Sequence, residues 1–176
     1  PGLLSRLQAV WEEQGAPMAR LSRPGLSDAE LDAHAATLGV VLPEELRQWW
    51  RWRNGATPAP NVAAESVGPG GWSLIGLEKV ADERNLLVQS HADMGIPGVV
   101  WDQSWLPITK GPWCWLFAKT AEAAAGRVPV GLVEWPWEGE FAATVLPSLT
   151  DMVALWVQML DEGFYAWDPG TNSWRI

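Results

Sequence analysis

Apolar residues recur at helical spacing in Leu3, Leu7, Val10 and Trp11, and Gly15 and Pro17 then break the pattern. That spacing predicts a short amphipathic helix at the start of the chain. A second helix is announced by Ser27-Asp28-Ala29-Glu30, in which a serine cap and a glutamate three residues on can satisfy each other's free backbone donors. Leu31, Ala35 and Leu38 form its apolar face, and Gly39 can adopt the left-handed conformation that ends a helix. After Val40-Val41-Leu42, Pro43 stands where a missing backbone donor costs nothing, and Glu44 and Glu45 suit the positive end of a helix dipole. The third helix carries Leu46, Trp49, Trp50 and the stem of Arg53 on its buried stripe, leaves Arg47 and Arg51 on the solvent face, and stops at Asn54-Gly55.

From Ala56 to Gly71 periodicity gives way to Pro, Gly and Ala, the composition of a long surface loop. Trp72 to Leu77 reads as a strand, Glu78 to Gln89 as a helix with Val80 and Leu87 inward, and Met94-Gly95-Ile96-Pro97 as a loop. Short apolar runs follow at Val99 to Trp101, Trp105 to Ile108, Trp113 to Lys119 and Val128 to Trp135. Gly111-Pro112 and Glu122 to Arg127 are short enough to join such runs as hairpins, which makes the sheet antiparallel. A last helix spans Pro147 to Glu162, with Leu149, Val153, Trp156 and Leu160 on one side and Gly163 as its stop, and a short Trp-bearing tail closes the chain. The expected fold is α+β: a central antiparallel twisted sheet flanked by N-terminal helices and one C-terminal helix, in a single domain over residues 1–176.

Composition narrows the function classes. The chain has 12 basic and 21 acidic residues, a net charge of −9. Between Val128 and Trp174 there is no Lys or Arg, whereas Glu134, Glu138, Glu140, Asp151, Asp161, Glu162 and Asp168 all fall there. A phosphate backbone would be repelled, so nucleic acid is not the expected partner. No apolar run approaches the length that spans a bilayer and the start of the chain is charged, so neither a membrane nor secretion is expected and the reading is cytoplasmic. One cysteine, Cys114, allows no internal disulfide and no cysteine-based metal cluster.

Candidate chemistry is sparse. His34 and His91 have no second His or Cys at ligand spacing, so no metal is expected. Cys114 alternates with Trp113 and Trp115, which places it on the opposite side of a strand from them and reads as a structural thiol rather than a nucleophile. Gly68-Pro69-Gly70-Gly71 lacks the Lys-Ser/Thr ending of a phosphate loop, and Glu138 and Glu140 sit on a turn that offers no differential tuning of paired carboxylates. No catalytic residue, cofactor or enzymatic activity is therefore assigned. Fourteen tryptophans against one tyrosine and three phenylalanines is the oddest feature, since tryptophan both fills cores and dominates interface hot spots. Trp11, Trp49, Trp50 and Trp156 lie on helical stripes and are expected inside. The surface candidate is Glu134, Trp135, Trp137, Glu138 and Glu140, where aromatic anchors and charge combine to suit a basic protein.

The order Ser27-x-x-Glu30, Leu38-Gly39, Leu42-Pro43-Glu44-Glu45-Leu46 and Asn54-Gly55 resembles the N-terminal signature of the SUKH superfamily, the Smi/Knr-like proteins. Downstream, Leu74-Ile75-Gly76-Leu77-Glu78, Trp105-Leu106-Pro107-Ile108 and Gly126-Arg127-Val128 are similar to that family's later elements, so the likeness covers roughly residues 20 to 160. One departure is that Trp113 to Lys119 has no acid where the family's strand often carries one. The resemblance implies an α+β fold with a central antiparallel sheet and a non-enzymatic, protein-binding role. Many bacterial members look like immunity proteins that neutralise a cognate toxin domain, and the fungal relatives resemble regulatory scaffolds or adaptors. A toxin-binding immunity protein is the first expectation, a scaffold without a toxin partner the second. A sugar-binding or glycan-processing role, suggested by tryptophan abundance and the turn acids, is the third.

Overall fold

The computed structural model describes residues 2–57, 71–94, 101–134 and 143–175. Its first helices follow from local signals. Helix α1 (Leu3–Glu13) buries Leu7, Val10 and Trp11, and the four-residue α2 (Met18–Leu21) leads into β1 (Ser22–Pro24). Helix α3 (Asp28–Leu38) has the predicted capping box in full, with both Ser27 and Glu30 bonding to the other's backbone, and Gly39 ends it at φ 68°. Helix α4 (Glu44–Trp52) buries Leu46, Trp49 and Trp50.

Asn54-Gly55 does not end α4. The helix stops at Trp52, and Arg53 turns to the extended φ −149° and ψ 133° to begin β2 (Arg53–Ala56), which pairs antiparallel with β1. The reason lies at Gly25: a Cβ there would stand 1.7 Å from the Arg51 carbonyl oxygen, so the chain before α3 runs against the end of α4. Leu26 N–H donates to Trp50 O at 2.9 Å and fixes that contact. The predicted strand over Trp72 to Leu77 shrinks to β3 (Ser73–Leu74), followed by a 3₁₀ turn at Leu77–Lys79 and α5 (Val80–Met94).

The sheet has five strands in the order β3-β4-β5-β6-β7, each paired antiparallel: β4 (Trp105–Lys110), β5 (Cys114–Lys119), β6 (Val130–Glu134) and β7 (Thr144–Leu146). Gly111 N–H donates to Cys114 O at 2.8 Å and closes the predicted β4–β5 hairpin. Of the run Val99 to Trp101, only Trp101 is described, and it is not in a strand. It packs as a buried plug against Trp105 and Phe117, its indole N–H donating to Trp105 O at 3.2 Å. Strand β7 and the C-terminal hairpin β8 (Ala166–Asp168) with β9 (Ser173–Arg175) were not predicted, being three residues each and too short to show alternation.

From Trp115 to Lys119 every residue of β5 is buried, so the central strand is covered on both faces. Gly131 on β6 makes room for the Phe117 ring, which a Cβ would meet at 2.3 Å. Helix α6 (Leu149–Asp161) is capped by Ser148, whose hydroxyl accepts from Asp151 N–H. It buries the predicted Leu149, Val153, Trp156 and Leu160 together with Met152 and Val157, and it packs along α1. The fold is thus α+β around an antiparallel sheet, with the predicted Trp11, Trp49, Trp50 and Trp156 all in the core.

Candidate functional site

Of the predicted surface, the structure describes Glu134, the last residue of β6. Glu134 is exposed and pairs in register with Cys114, while Trp135, Trp137, Glu138 and Glu140 lie outside the described residues. Much of the acidity late in the chain is neutralised from elsewhere: Asp151 by Arg127, Asp161 by Arg6 and Asp168 by Arg175. Among the described residues Glu134 has no such cation, so its charge is left to the solvent side.

Trp113 and Trp115 were expected to share a face, but their environments differ. Trp115 is 8% exposed, with its indole N–H donating to Glu83 Oε2 at 3.0 Å and Lys110 Nζ 5.5 Å from its ring centre. Trp113 precedes the strand in the Gly111–Trp113 turn, where alternation does not hold, and it is 66% exposed. Sequence reasoning missed it because it was counted into the strand. The hairpin signal at Gly111-Pro112 was the clue that could have placed it outside. An exposed tryptophan next in sequence to Cys114, and an exposed carboxylate opposite Cys114, therefore mark one end of the sheet.

Cys114 is half-buried, and its thiol is pushed up first by burial and further by the Glu134 charge. Both effects disfavour the thiolate that nucleophilic chemistry requires. Among the described residues no three His, Cys, Asp or Glu side chains converge where they could hold a metal, and no helix is long and apolar enough to cross a membrane.

A second feature escaped the sequence altogether. Helices α1, α4 and α6 enclose a groove of about 500 Å³, walled by Leu3, Leu4, Trp49, Trp52, Leu149 and Val153. Its polar rim is largely occupied. Glu45 accepts from Val128 N–H at 2.6 Å, Thr150 N–H at 3.2 Å and the Thr150 hydroxyl. Arg51 is held by Asp28 at 2.6 Å and Glu44 at 2.8 Å. Such a groove forms from three distant segments, which no local period can show.

Two of the motifs that carried the resemblance, Asn54-Gly55 and Gly76-Leu77-Glu78, meet in space, and their work is structural. Asn54 is buried, its carbonyl oxygen accepting Leu77 N–H at 2.8 Å and its amide donating to Glu78 Oε2 at 2.9 Å. Arg23 on β1 pairs with the other Glu78 oxygen. Gly55, at φ 78°, lies so close to Gly76 that a Cβ would stand 2.5 Å from its nitrogen. Asn54-Gly55 and Gly76-Leu77-Glu78 thus clasp the β1–β2 ribbon to the start of the sheet. Ser27-x-x-Glu30 and Leu38-Gly39 cap the two ends of α3.

No curated protein matches the chain. The family model of the SMI1 / KNR4 family (SUKH-1) matches residues 25–154, a span that contains the α3 caps, the Asn54–Glu78 clasp and the sheet from β3 to β7. With its motifs in place and most of its length covered, the chain belongs to the SMI1 / KNR4 family (SUKH-1).

Proposed function

We infer that this protein is a non-enzymatic binding module of the immunity type, which acts in the cytoplasm by occluding the working surface of a cognate, basic toxin domain. The observation that carries this reading is family membership, since many bacterial members of the family are immunity proteins. Glu134, Trp135, Trp137, Glu138 and Glu140 make up the proposed contact, now with Trp113 added to it. Glu134 supports it as an exposed carboxylate without a cation among the described residues, and Trp113 supports it as a large exposed anchor. A basic partner would be steered toward a chain of net charge −9, whereas nucleic acid would be repelled.

Occlusion needs no turnover and no cofactor. Charge would raise the encounter rate and the buried aromatic surface would hold the complex. The test is co-expression with the toxin domain encoded beside this gene. The reading expects protected growth and a stable purified complex. Growth arrest despite full expression, with no complex formed, would overturn it. Capture of a host regulatory protein in the toxin's stead would assign the scaffold role.

A further inference from the structure

Of the four asparagines in the chain, Asn54 alone is followed by glycine. An Asn-Gly pair carries a chemistry of its own. With no side chain on the glycine to hinder the approach, its backbone nitrogen attacks the asparagine Cγ, forms a C–N bond there and expels the side-chain nitrogen as ammonia. Water then opens the resulting five-membered imide at one of its two carbonyls. The product is aspartate, or isoaspartate, in which the main chain runs through the former side chain. Only water is consumed.

The clasp blocks the first step and has no place for the product. Asn54 is 6% exposed in β2, its carbonyl oxygen accepting from Leu77 N–H at 2.8 Å and its amide donating to Glu78 Oε2 at 2.9 Å. Arg23 fixes the other Glu78 oxygen, so the acceptor is itself held in place. Turning Cγ onto the Gly55 nitrogen breaks both amide bonds, and the Leu77 N–H is buried from the water that would replace its partner. An aspartate at 54 would set a carboxylate oxygen where the amide now donates to the Glu78 carboxylate, so like charges would face each other in place of a hydrogen bond. An isoaspartate would lengthen the main chain where Gly55, at φ 78°, abuts Gly76 so closely that a Cβ would stand 2.5 Å from its nitrogen. Asn172, which precedes Ser173 in the turn between β8 and β9, is by contrast exposed.

We propose that Asn54-Gly55 is a self-modification site, silent while the clasp is closed, which on opening converts to aspartate or isoaspartate and keeps the clasp from re-forming. The fold thereby protects the residue that fastens it, and an opening long enough for the reaction becomes irreversible. The inference needs no partner and stands apart from the protein-binding reading above.

The experiment incubates the full chain in mildly alkaline buffer, folded or unfolded in urea, and follows deamidation at each asparagine by peptide mapping with mass spectrometry. Asn54 should convert about a hundred-fold or more slowly in the folded chain than in urea, because the open fraction of a folded domain is about one part in a thousand or less. Asn172, exposed in both conditions, should differ by less than about ten-fold, since surface turns open at almost no cost. Glu78→Ala, which frees the Asn54 amide, should speed conversion at Asn54 in the folded chain by about ten-fold or more and leave Asn172 unchanged. Chain deamidated at Asn54 in urea and returned to buffer should unfold at a lower urea midpoint than chain incubated folded, in which Asn172 has reacted and Asn54 has not. Equal rates at Asn54 in the two conditions, a folded-state rate that Glu78→Ala leaves unchanged, or a deamidated chain that regains the full midpoint would each overturn the proposal. If Glu78→Ala fails to fold, the comparison on the unaltered chain and its refolding still decide the outcome.

Discussion

Asn54 shows how one side chain can carry a motif. Its two amide groups serve a buried backbone N–H and a carboxylate that already holds Arg23. Removing it leaves the buried Leu77 N–H without a partner and takes one donor from a carboxylate that keeps Arg23, and an unmade buried hydrogen bond costs more than a made one gains. Asn54→Ala should therefore lower unfolding stability by about 2–3 kcal/mol, read as a drop in the urea midpoint with unchanged slope. A loss below about 0.5 kcal/mol would mean that the clasp contributes little. The Asn-Gly pair was legible in the sequence as a family motif, but its role as a helix stop was misread. Local capping rules describe a glycine after a helix, whereas here Gly55 is required by the approach of Gly76, a residue far along the chain. Trp113 teaches the same lesson at the surface: alternation assigns faces only inside a strand, and a one-residue error at its start moved a tryptophan from surface to sheet.

At the scale of elements, what was readable was what is local. The caps of α3, the stripe of α4, the β4–β5 hairpin and the buried face of α6 all follow from periods and turn residues within one segment. The three-residue strands and the groove depend on distant partners and left no such trace. The pairing of α3 with α4 is a further case. Arg47 and Arg51 do share a face of α4, as predicted, but that face is turned to α3, where Arg47 reaches Asp28 at 2.9 Å and Asp32 at 2.7 Å and Arg51 reaches Asp28. Arg51 and then Arg47 hold the Asp28 carboxyl below its ordinary value, and Arg51 with Gln48 does the same for Glu44. Burial opposes ionisation of Glu78, but Arg23, a backbone donor and Asn54 outweigh it and its carboxyl is also lowered. A carboxyl that ionises more readily when folded adds stability above its unfolded pKa and loses it as pH falls through the folded one. The melting temperature should thus be flat from neutrality to about pH 5 and fall steeply below about pH 4. Arg51→Met should flatten part of that fall. Being exposed, these pairs contribute modestly, and the acid limb is where they show.

For the whole molecule, family membership sets the scaffold, and the basic partner proposed for it rests on the net charge of −9. The acidic half proved less bare than its sequence suggested, because Arg6, Arg127 and Arg175 reach three of its carboxylates. Among the described residues of that half, Glu134 at the end of the sheet and Glu162 at the end of α6 are exposed carboxylates without an ion pair, and Trp113 is exposed beside the first of them in the sheet. Association kinetics with a basic toxin domain, should one be encoded beside the gene, test most directly the proposed binding at this end of the sheet. Rates should fall steeply as salt is raised from low to physiological strength, and Glu134→Lys should slow association by about ten-fold while Trp113→Ser mainly speeds dissociation. Rates indifferent to salt and to both substitutions, with binding otherwise intact, would contradict it.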